Sequence, residues 1–314
     1  MNIIIITQGI PPPVHALLQS RHHITGIVED SPRIPPSGLK RSIQNIISTL
    51  KPGTRTLASL CQENAIPYFY LDNNQESLRE WVRSIDPDLI IIYSMSHLLR
   101  AEIISIPPYG AINIHPSLLP SYRGPDPIFW MYYTMEKRGG ITIYFIDEGE
   151  DTGDIIYQES FEIPPGSNGQ DLQHEIVEKI GVPLLLQAID AIERGDAPRI
   201  RQPAESPTIR ARYILPEEQK GMIDWENWEI QRIWHLMRGC AKCKKLVAPP
   251  TGLYTGQRWK IGEYRICDTT NLNKGVVLQK SEGYCVAGRD GIIYLTIDFD
   301  IKKTIHHFFD TLIP

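Results

Sequence analysis

Apolar residues fall in short blocks along this chain, and the spacing inside each block predicts its structure. Residues 2–7, NIIIIT, form an unbroken apolar run, as a central parallel strand covered on both faces requires. A helix over 12–20 and a strand over 23–30 follow. Next come a helix near 53–64, a strand at 66–71, a helix at 77–85, and strands at 88–94 and 110–115. Alternation of this kind predicts an α/β fold: a doubly wound, Rossmann-like sheet with right-handed crossovers. Ligands of such sheets sit beyond the carboxyl ends of the strands. Two further runs, 140–149 and 154–163, look like an antiparallel pair joined by an Glu-Asp-Thr-Gly turn. Leu172, Ile176, Ile180, Leu184, Leu185, Ala188 and Ile192 recur at helical spacing and predict a long helix over 170–194.

The pattern changes after residue 196. The stretch 196–219 is rich in proline and charge and has no long apolar run, so it reads as a linker. A helix is expected from about 226 to 238. Short β-rich runs separated by glycine then suggest a small antiparallel, barrel-like domain. The organisation expected is a catalytic domain at 1–200, a linker at 201–220 and a helix plus β-barrel-like domain at 221–314.

Composition narrows the class. Of 314 residues, 42% are hydrophobic and 22% charged, an ordinary globular balance. The net charge of −5 gives no global case for nucleic-acid binding. No apolar run reaches membrane-spanning length, and the start lacks the basic region of a secretion signal. Five scattered cysteines suggest no disulfide framework, so a reducing cytoplasm is the simplest compartment. Cys240 and Cys243 form a C-x-x-C; His235, His306 and His307 are the other candidate ligands, but no second metal-binding pair follows, so free thiols and no metal are expected. The turn after the first strand, TQGIPPPV, lacks the dinucleotide fingerprint.

The chemistry concentrates in two segments. Residues 113–124 read NIHPSLLPSYRG, and 147–154 read DEGEDTGD. Alternate side chains on a strand share a face, so Asn113 and His115 point to one site. Asp151 lies 38 residues beyond Asn113, in a loop after another apolar run. An amide donor, an imidazole and a carboxylate can together stabilise an oxyanion, move a proton and orient the base.

This pattern resembles the N10-formyltetrahydrofolate-dependent formyltransferases. The matching pieces are Asn113, His115, Ser117-Leu118-Leu119-Pro120, Tyr122-Arg123-Gly124 and Asp151-Thr152-Gly153-Asp154. The resemblance implies that an amine attacks the formyl carbon of N10-formyltetrahydrofolate. Asn113 would then donate to the oxyanion, His115 would accept or relay the amine proton, and Asp151 would hold the imidazole. It also implies a pterin slot lined by Tyr93, Ser94, Met95 and Leu98 on one side and by Asp147, Gly149, Glu150 and Asp151 on the other. Gly149 and Gly153 fit a loop of close approach. Ser94 and Ser96 are expected to cap the helix that follows. Substrate contacts are expected from Ser117, Tyr122, Arg123 and Asp126; Arg123 fits an anion contact or a loop salt bridge equally well. The aromatic residues Phe129, Trp130, Tyr132 and Tyr133 read as core packing.

The acceptor is narrowed less. The C-terminal half is loosely similar to that of methionyl-tRNA formyltransferases and of some amino-sugar formyltransferases. Residues 213–314 hold 14 Lys and Arg against 12 Asp and Glu, a weak basic face for a tRNA clamp. Residues 31–55 carry five basic and no acidic side chains, which suits tRNA, a sugar nucleotide's pyrophosphate, or simple solvation. The tRNA enzymes commonly have Arg-Gly-Ala-Ala-Pro-Ile where this chain has Arg123-Gly124-Pro125-Asp126-Pro127-Ile128. These departures favour a nucleotide-linked amino sugar over methionyl-tRNA. A formyltetrahydrofolate hydrolase, in which water replaces the amine, is a more remote reading, because such enzymes usually carry an N-terminal regulatory domain. A homodimer is open.

Overall fold

The computed structural model describes residues 1–31, 55–72, 74–215, 217–240, 247–281 and 283–300. Cys243, His306, His307 and nearly all of the basic stretch 31–55 lie outside them. The chain divides into two compact units. The first comprises residues 1–127, 139–161 and 174–211, and the second 128–138, 162–173 and 212–314. Residues 201–211, read as linker in the sequence, pack with the first unit.

The first unit is built on a seven-stranded sheet. Its strands are β1 (Asn2–Thr7), β2 (His23–Asp30), β3 (Tyr68–Leu71), β4 (Leu89–Tyr93), β5 (Ala111–His115), β6 (Arg138–Phe145) and β7 (Ile155–Glu162). Their order is β3-β2-β1-β4-β5-β6-β7. β1 pairs in parallel with both β2 and β4, and β4 in parallel with β5. The strand order therefore reverses between β1 and β4, where ligand crevices form in open sheets. β6 then pairs antiparallel with β5.

Alternation along the strands sends side chains to two covered faces. Ile4, Ile6, Val28, Ile90, Ile92 and Ala111 pack with Leu78 and Val82 of α3 (Gln75–Ile85) and Ile103 of α4 (Ala101–Ile104). Two short helices, α1 (Pro12–Leu18) and α2 (Leu57–Glu63), complete the first half of the unit. A capping box sets the start of α2: Thr56 and Ser59 each accept the other's backbone N–H.

The long helix expected over 170–194 is one helical run with a flaw. α6 (Gly169–Ile176) passes through a π turn at Val177–Gly181 into α7 (Val182–Arg194). Pro183 stands just after the flaw. Its ring clashes with the carbonyl four residues earlier and it has no N–H to give, so a widened turn relieves the strain. Gly181 in that turn sits close to the sheet; a Cβ there would lie 3.2 Å from Ile141.

In the second unit, α5 (Pro127–Tyr133) buries Phe129, Trp130 and Tyr132, which places the aromatic cluster in packing. Strands β8 (Arg258–Ile266), β9 (Val277–Lys280), β10 (Gly283–Ala287) and β11 (Gly291–Asp298) form an antiparallel sheet ordered β8-β11-β10-β9. The helix expected from 226 begins later, as α8 (Ile230–Gly239). Asp224 accepts from the backbone N–H groups of Glu226 and Asn227 and holds that stretch in a turn. His235 on α8 is buried, and its Nδ1 accepts from the Gly166 N–H at 2.9 Å. Among the described residues no cluster could hold a metal ion, and no helix is long and apolar enough to cross a membrane.

Gly140 on β6 shows how tightly this frame meets the 117–120 segment. A Cβ there would lie 2.3 Å from Leu118 Cγ and 3.0 Å from the Glu159 carbonyl oxygen. We predict that Gly140→Ala lowers unfolding free energy by about 1–3 kcal/mol, the usual cost of overpacking. Urea denaturation measures it, and an unchanged midpoint would contradict the packing described.

Candidate active site

Register puts the polar residues of two strands face to face. In the β5–β6 pairing, Asn113 lies opposite Tyr144 and His115 opposite Thr142. Directly opposed residues of an antiparallel pair share a face and touch. The Asn113 amide donates from Nδ2 to Tyr144 Oη at 2.9 Å, and Tyr144 Oη donates to Asp151 Oδ1 at 2.6 Å. The other carboxylate oxygen, Oδ2, accepts from the Gly124 N–H at 2.7 Å and lies 3.6 Å from His115 Nδ1. The structure thus brings Asn113, His115 and Asp151 into one constellation.

His115 is buried, and its Nε2 is 3.0 Å from the Tyr122 carbonyl oxygen. A carbonyl only accepts, so Nε2 carries a hydrogen and the neutral ring's lone pair is at Nδ1, facing Asp151. At 3.6 Å the carboxylate is beyond hydrogen-bond reach of Nδ1, yet near enough to stabilise a charge there. Behind the imidazole, Thr142 donates to the Ser117 carbonyl at 2.6 Å and accepts from Gln158 at 2.8 Å.

The loop that carries Asp151 is tightly shaped. Asp147 Oδ1 accepts from the Gly149 N–H at 3.0 Å and from the Thr152 hydroxyl at 2.6 Å. A Cβ on Gly149 would meet Thr152 Oγ1 at 2.0 Å, and one on Gly153 would meet the Phe145 carbonyl oxygen at 1.7 Å. Only glycine fits at 153, where the obstacle is backbone; at 149 a side chain would displace Thr152. Asp151 itself has φ +55°, Tyr122 +56° and Ser94 +63°. Left-handed backbone at non-glycine residues is costly and concentrates where function over-determines it.

The opposite loop, after β4, is pinned by side chains the sequence reading did not single out. Ser96 N–H donates to Asp30 Oδ2 at 2.6 Å, and Gln8 Nε2 donates to Ser96 Oγ at 2.6 Å. His97 Nδ1 lies 2.8 Å from Asp30 Oδ1. Ser94 and Ser96 are not helix caps: α4 begins at Ala101 with Arg100 as its N-cap residue. Tyr93 ends β4, Met95 packs against the core, and Leu98 is 61% exposed at the rim.

The expected substrate residues fall in different places. Ser117 is fully buried, and its hydroxyl donates to the Ser121 carbonyl at 2.6 Å. Tyr122 N–H donates to Thr208 Oγ1, and the Asp126 N–H donates to the Ala211 carbonyl. Among the described residues Arg123 is not half of a salt bridge, and it lines the hollow formed with Glu150 and Arg210. Its buried guanidinium donates to Gln202 Oε1 at 2.9 Å and to the carbonyls of Pro203 and Ala204 at 2.8 and 2.9 Å. Gln202 Nε2 donates in turn to the Asp151 carbonyl at 3.0 Å and the Gly153 carbonyl at 2.7 Å. Residues 202–211 are therefore a strap that ties the 122–126 loop to the Asp151 loop. Glu150 pairs with Arg210 of the same strap, and both line a hollow of about 570 Å³ with Thr152, Glu205 and Thr208.

Tyr144, Gln202 and the 30–97 pairing were missed in the sequence. Tyr144 had one available signal: it stands in an apolar strand run and carries the only hydroxyl there besides Thr142.

A family model described as "Formyl transferase" matches residues 16–189. A methionyl-tRNA formyltransferase of Syntrophus aciditrophicus is 39% identical over 176 residues, 56% of this chain and 53% of that protein. The chain thus spans about half the length of that relative. A methionyl-tRNA formyltransferase of Carboxydothermus hydrogenoformans is 33% identical over 71% of this chain and 70% of its own length. Among solved structures, an N-formyltransferase from Helicobacter canadensis, in complex with folinic acid and dTDP-3-aminofucose, superposes with a TM-score of 0.60. It covers 95% of this chain and 100% of that one at 15% identity, a likeness of fold.

The strap yields a test. Arg123→Met leaves the buried Gln202 Oε1 without its donor, at about 1–3 kcal/mol for an orphaned buried group, and removes the bonds to the carbonyls of the exposed residues Pro203 and Ala204. The variant is expected to lose about 1–3 kcal/mol of unfolding free energy and to be cut faster by protease within 203–210. Wild-type values for both would show that the strap is held by something else.

Proposed function

The chain belongs to the formyl transferase family, and on that premise we propose that it moves the formyl group of a formylated tetrahydrofolate to a primary amine. The observation that carries the reading is the meeting of Asn113, His115 and Asp151 through one network. The amine nitrogen attacks the formyl carbon, and a C–N bond forms as the carbonyl becomes an oxyanion. Asn113 Nδ2 donates to that oxygen. His115 takes the amine proton at Nδ1, and the Asp151 carboxylate stabilises the charge this creates. Collapse of the intermediate breaks the bond to the folate nitrogen, which receives the proton. The products are the formamide and tetrahydrofolate.

Two loops supply the slot for the pterin. The main chain of 93–98 is fixed by Gln8, Asp30 and Ser96, and that of 147–151 by Asp147 and Thr152. A pterin edge alternates donors and acceptors, which immobile backbone N–H and C=O groups match without paying ordering entropy. Tyr93, Ser94, Met95 and Leu98 contribute on one side, and Gly149 and Glu150 on the other.

For the acceptor, the sequence relatives weigh against the nucleotide-linked amino sugar that the motif departures favour. Those relatives are methionyl-tRNA formyltransferases, and one shares a third of its residues across more than two thirds of this chain. The first acceptor proposed is accordingly the methionyl group on tRNA. The amino sugar is kept on one observation: Pro125-Asp126 stands where the tRNA enzymes commonly carry Ala-Ala.

The assay is formylation from 10-formyltetrahydrofolate, comparing methionyl initiator tRNA with a panel of nucleotide-linked amino sugars. Turnover of the tRNA is expected; turnover of a sugar alone would reverse the acceptor ranking. Asn113→Ala is expected to lower kcat about 10²–10³-fold, the cost of one oxyanion donor. Folded wild-type protein that formylates no acceptor would contradict the reading.

A further inference from the structure

Tyr144 belongs to no motif, yet its phenol oxygen is hydrogen-bonded to both Asn113 and Asp151. We infer that Tyr144 is a positioning residue that locks the Asn113 amide with its nitrogen, not its oxygen, turned into the site. The inference rests on the reading of Asn113 as the oxyanion donor.

The argument is one of hydrogen-atom accounting. An ionised carboxylate only accepts, so the 2.6 Å contact to Asp151 Oδ1 consumes the single hydrogen of the phenol. Burial and the facing Asp151 charge push the Tyr144 hydroxyl well above the ordinary phenol range, so that hydrogen stays. Tyr144 Oη then offers Asn113 nothing but lone pairs. The amide must present Nδ2, as observed at 2.9 Å. The two ends of an amide have nearly the same shape, and a network of this kind is what distinguishes them.

With one N–H of Nδ2 given to Tyr144, the other is held in the amide plane for a ligand oxygen. Without the hydroxyl, the amide is free to turn its own oxygen into the site, where it would repel a developing oxyanion. The same phenol fixes Asp151, because occupying Oδ1 leaves Oδ2 to the Gly124 N–H and to His115. Phenylalanine would fill the same space on β6, so the role belongs to the hydroxyl alone.

A double-mutant cycle separates positioning from packing. Full-length wild type, Tyr144→Phe, Asn113→Ala and the double variant are assayed with 10-formyltetrahydrofolate and the acceptor that wild type turns over. Tyr144→Phe is expected to lower kcat about 10–100-fold, short of the loss expected for the whole donor, with KM for the folate changed less than about twofold. In the Asn113→Ala background the same change should cost less than about twofold. Tyr144→His, whose imidazole can accept and donate, should recover part of the loss, and it carries the test if the phenylalanine variant does not fold. Wild-type kcat in Tyr144→Phe, or an equal loss in both backgrounds, would overturn the proposal. Wild-type kcat in Asn113→Ala would instead overturn the reading of the site beneath it.

Discussion

The site depends on a change of direction between β5 and β6. Four strand pairings before that point are parallel; this one is antiparallel. The reversal sets His115 against Thr142 and Asn113 against Tyr144, so that the polar residues of two strands share one face. It also sends the chain into the 147–154 loop, which folds back until the Asp151 carboxylate meets the phenol. Gly153 makes that return possible, because its backbone passes within a Cβ's reach of the Phe145 carbonyl. A parallel sixth strand would leave its outgoing loop at the opposite edge of the sheet.

Around this core the polar groups are satisfied by neighbours that do no chemistry. Asp151 accepts from a phenol and a backbone N–H, His115 donates to a carbonyl, and Gln202 ties the Asp151 loop to the strap. Such partners determine orientation, and orientation decides whether a donor is useful at an oxyanion. The left-handed backbone at Tyr122 and Asp151 belongs to the same design: each is held in place by bonds from the segments beside it.

Local pattern carried much of this. The unbroken apolar run of β1, the period-two spacing of Asn113 and His115, and the paired glycines around Asp151 are all short-range signals. What the sequence hid was longer in range. Tyr144 becomes meaningful only when the register of β6 against β5 is known. The 202–211 strap looked like a linker because it has no apolar periodicity, and it is held instead by Arg123 through backbone carbonyls. The late start of α8 follows from one aspartate side chain bonding two backbone N–H groups. Ser96 reads as a helix cap in the sequence, but Asp30, at the end of β2, and Gln8, just past β1, hold it from far away in the chain. The acceptor is the least legible feature, since a primary amine leaves few marks on the machinery that formylates it.

The central claim is that the Asn113 amide faces the formyl oxygen of a folate held between the loops after β4 and β6. A crystal structure of this chain with 10-formylfolate, a stable analogue that carries its formyl group on the same nitrogen, tests it most directly. The account predicts the pterin edge on the main chain of 93–98 and 147–151, with Asn113 Nδ2 turned to the formyl group and still bonded to Tyr144. A folate bound elsewhere on the sheet, or an Asn113 amide with its oxygen toward the formyl group, would contradict it.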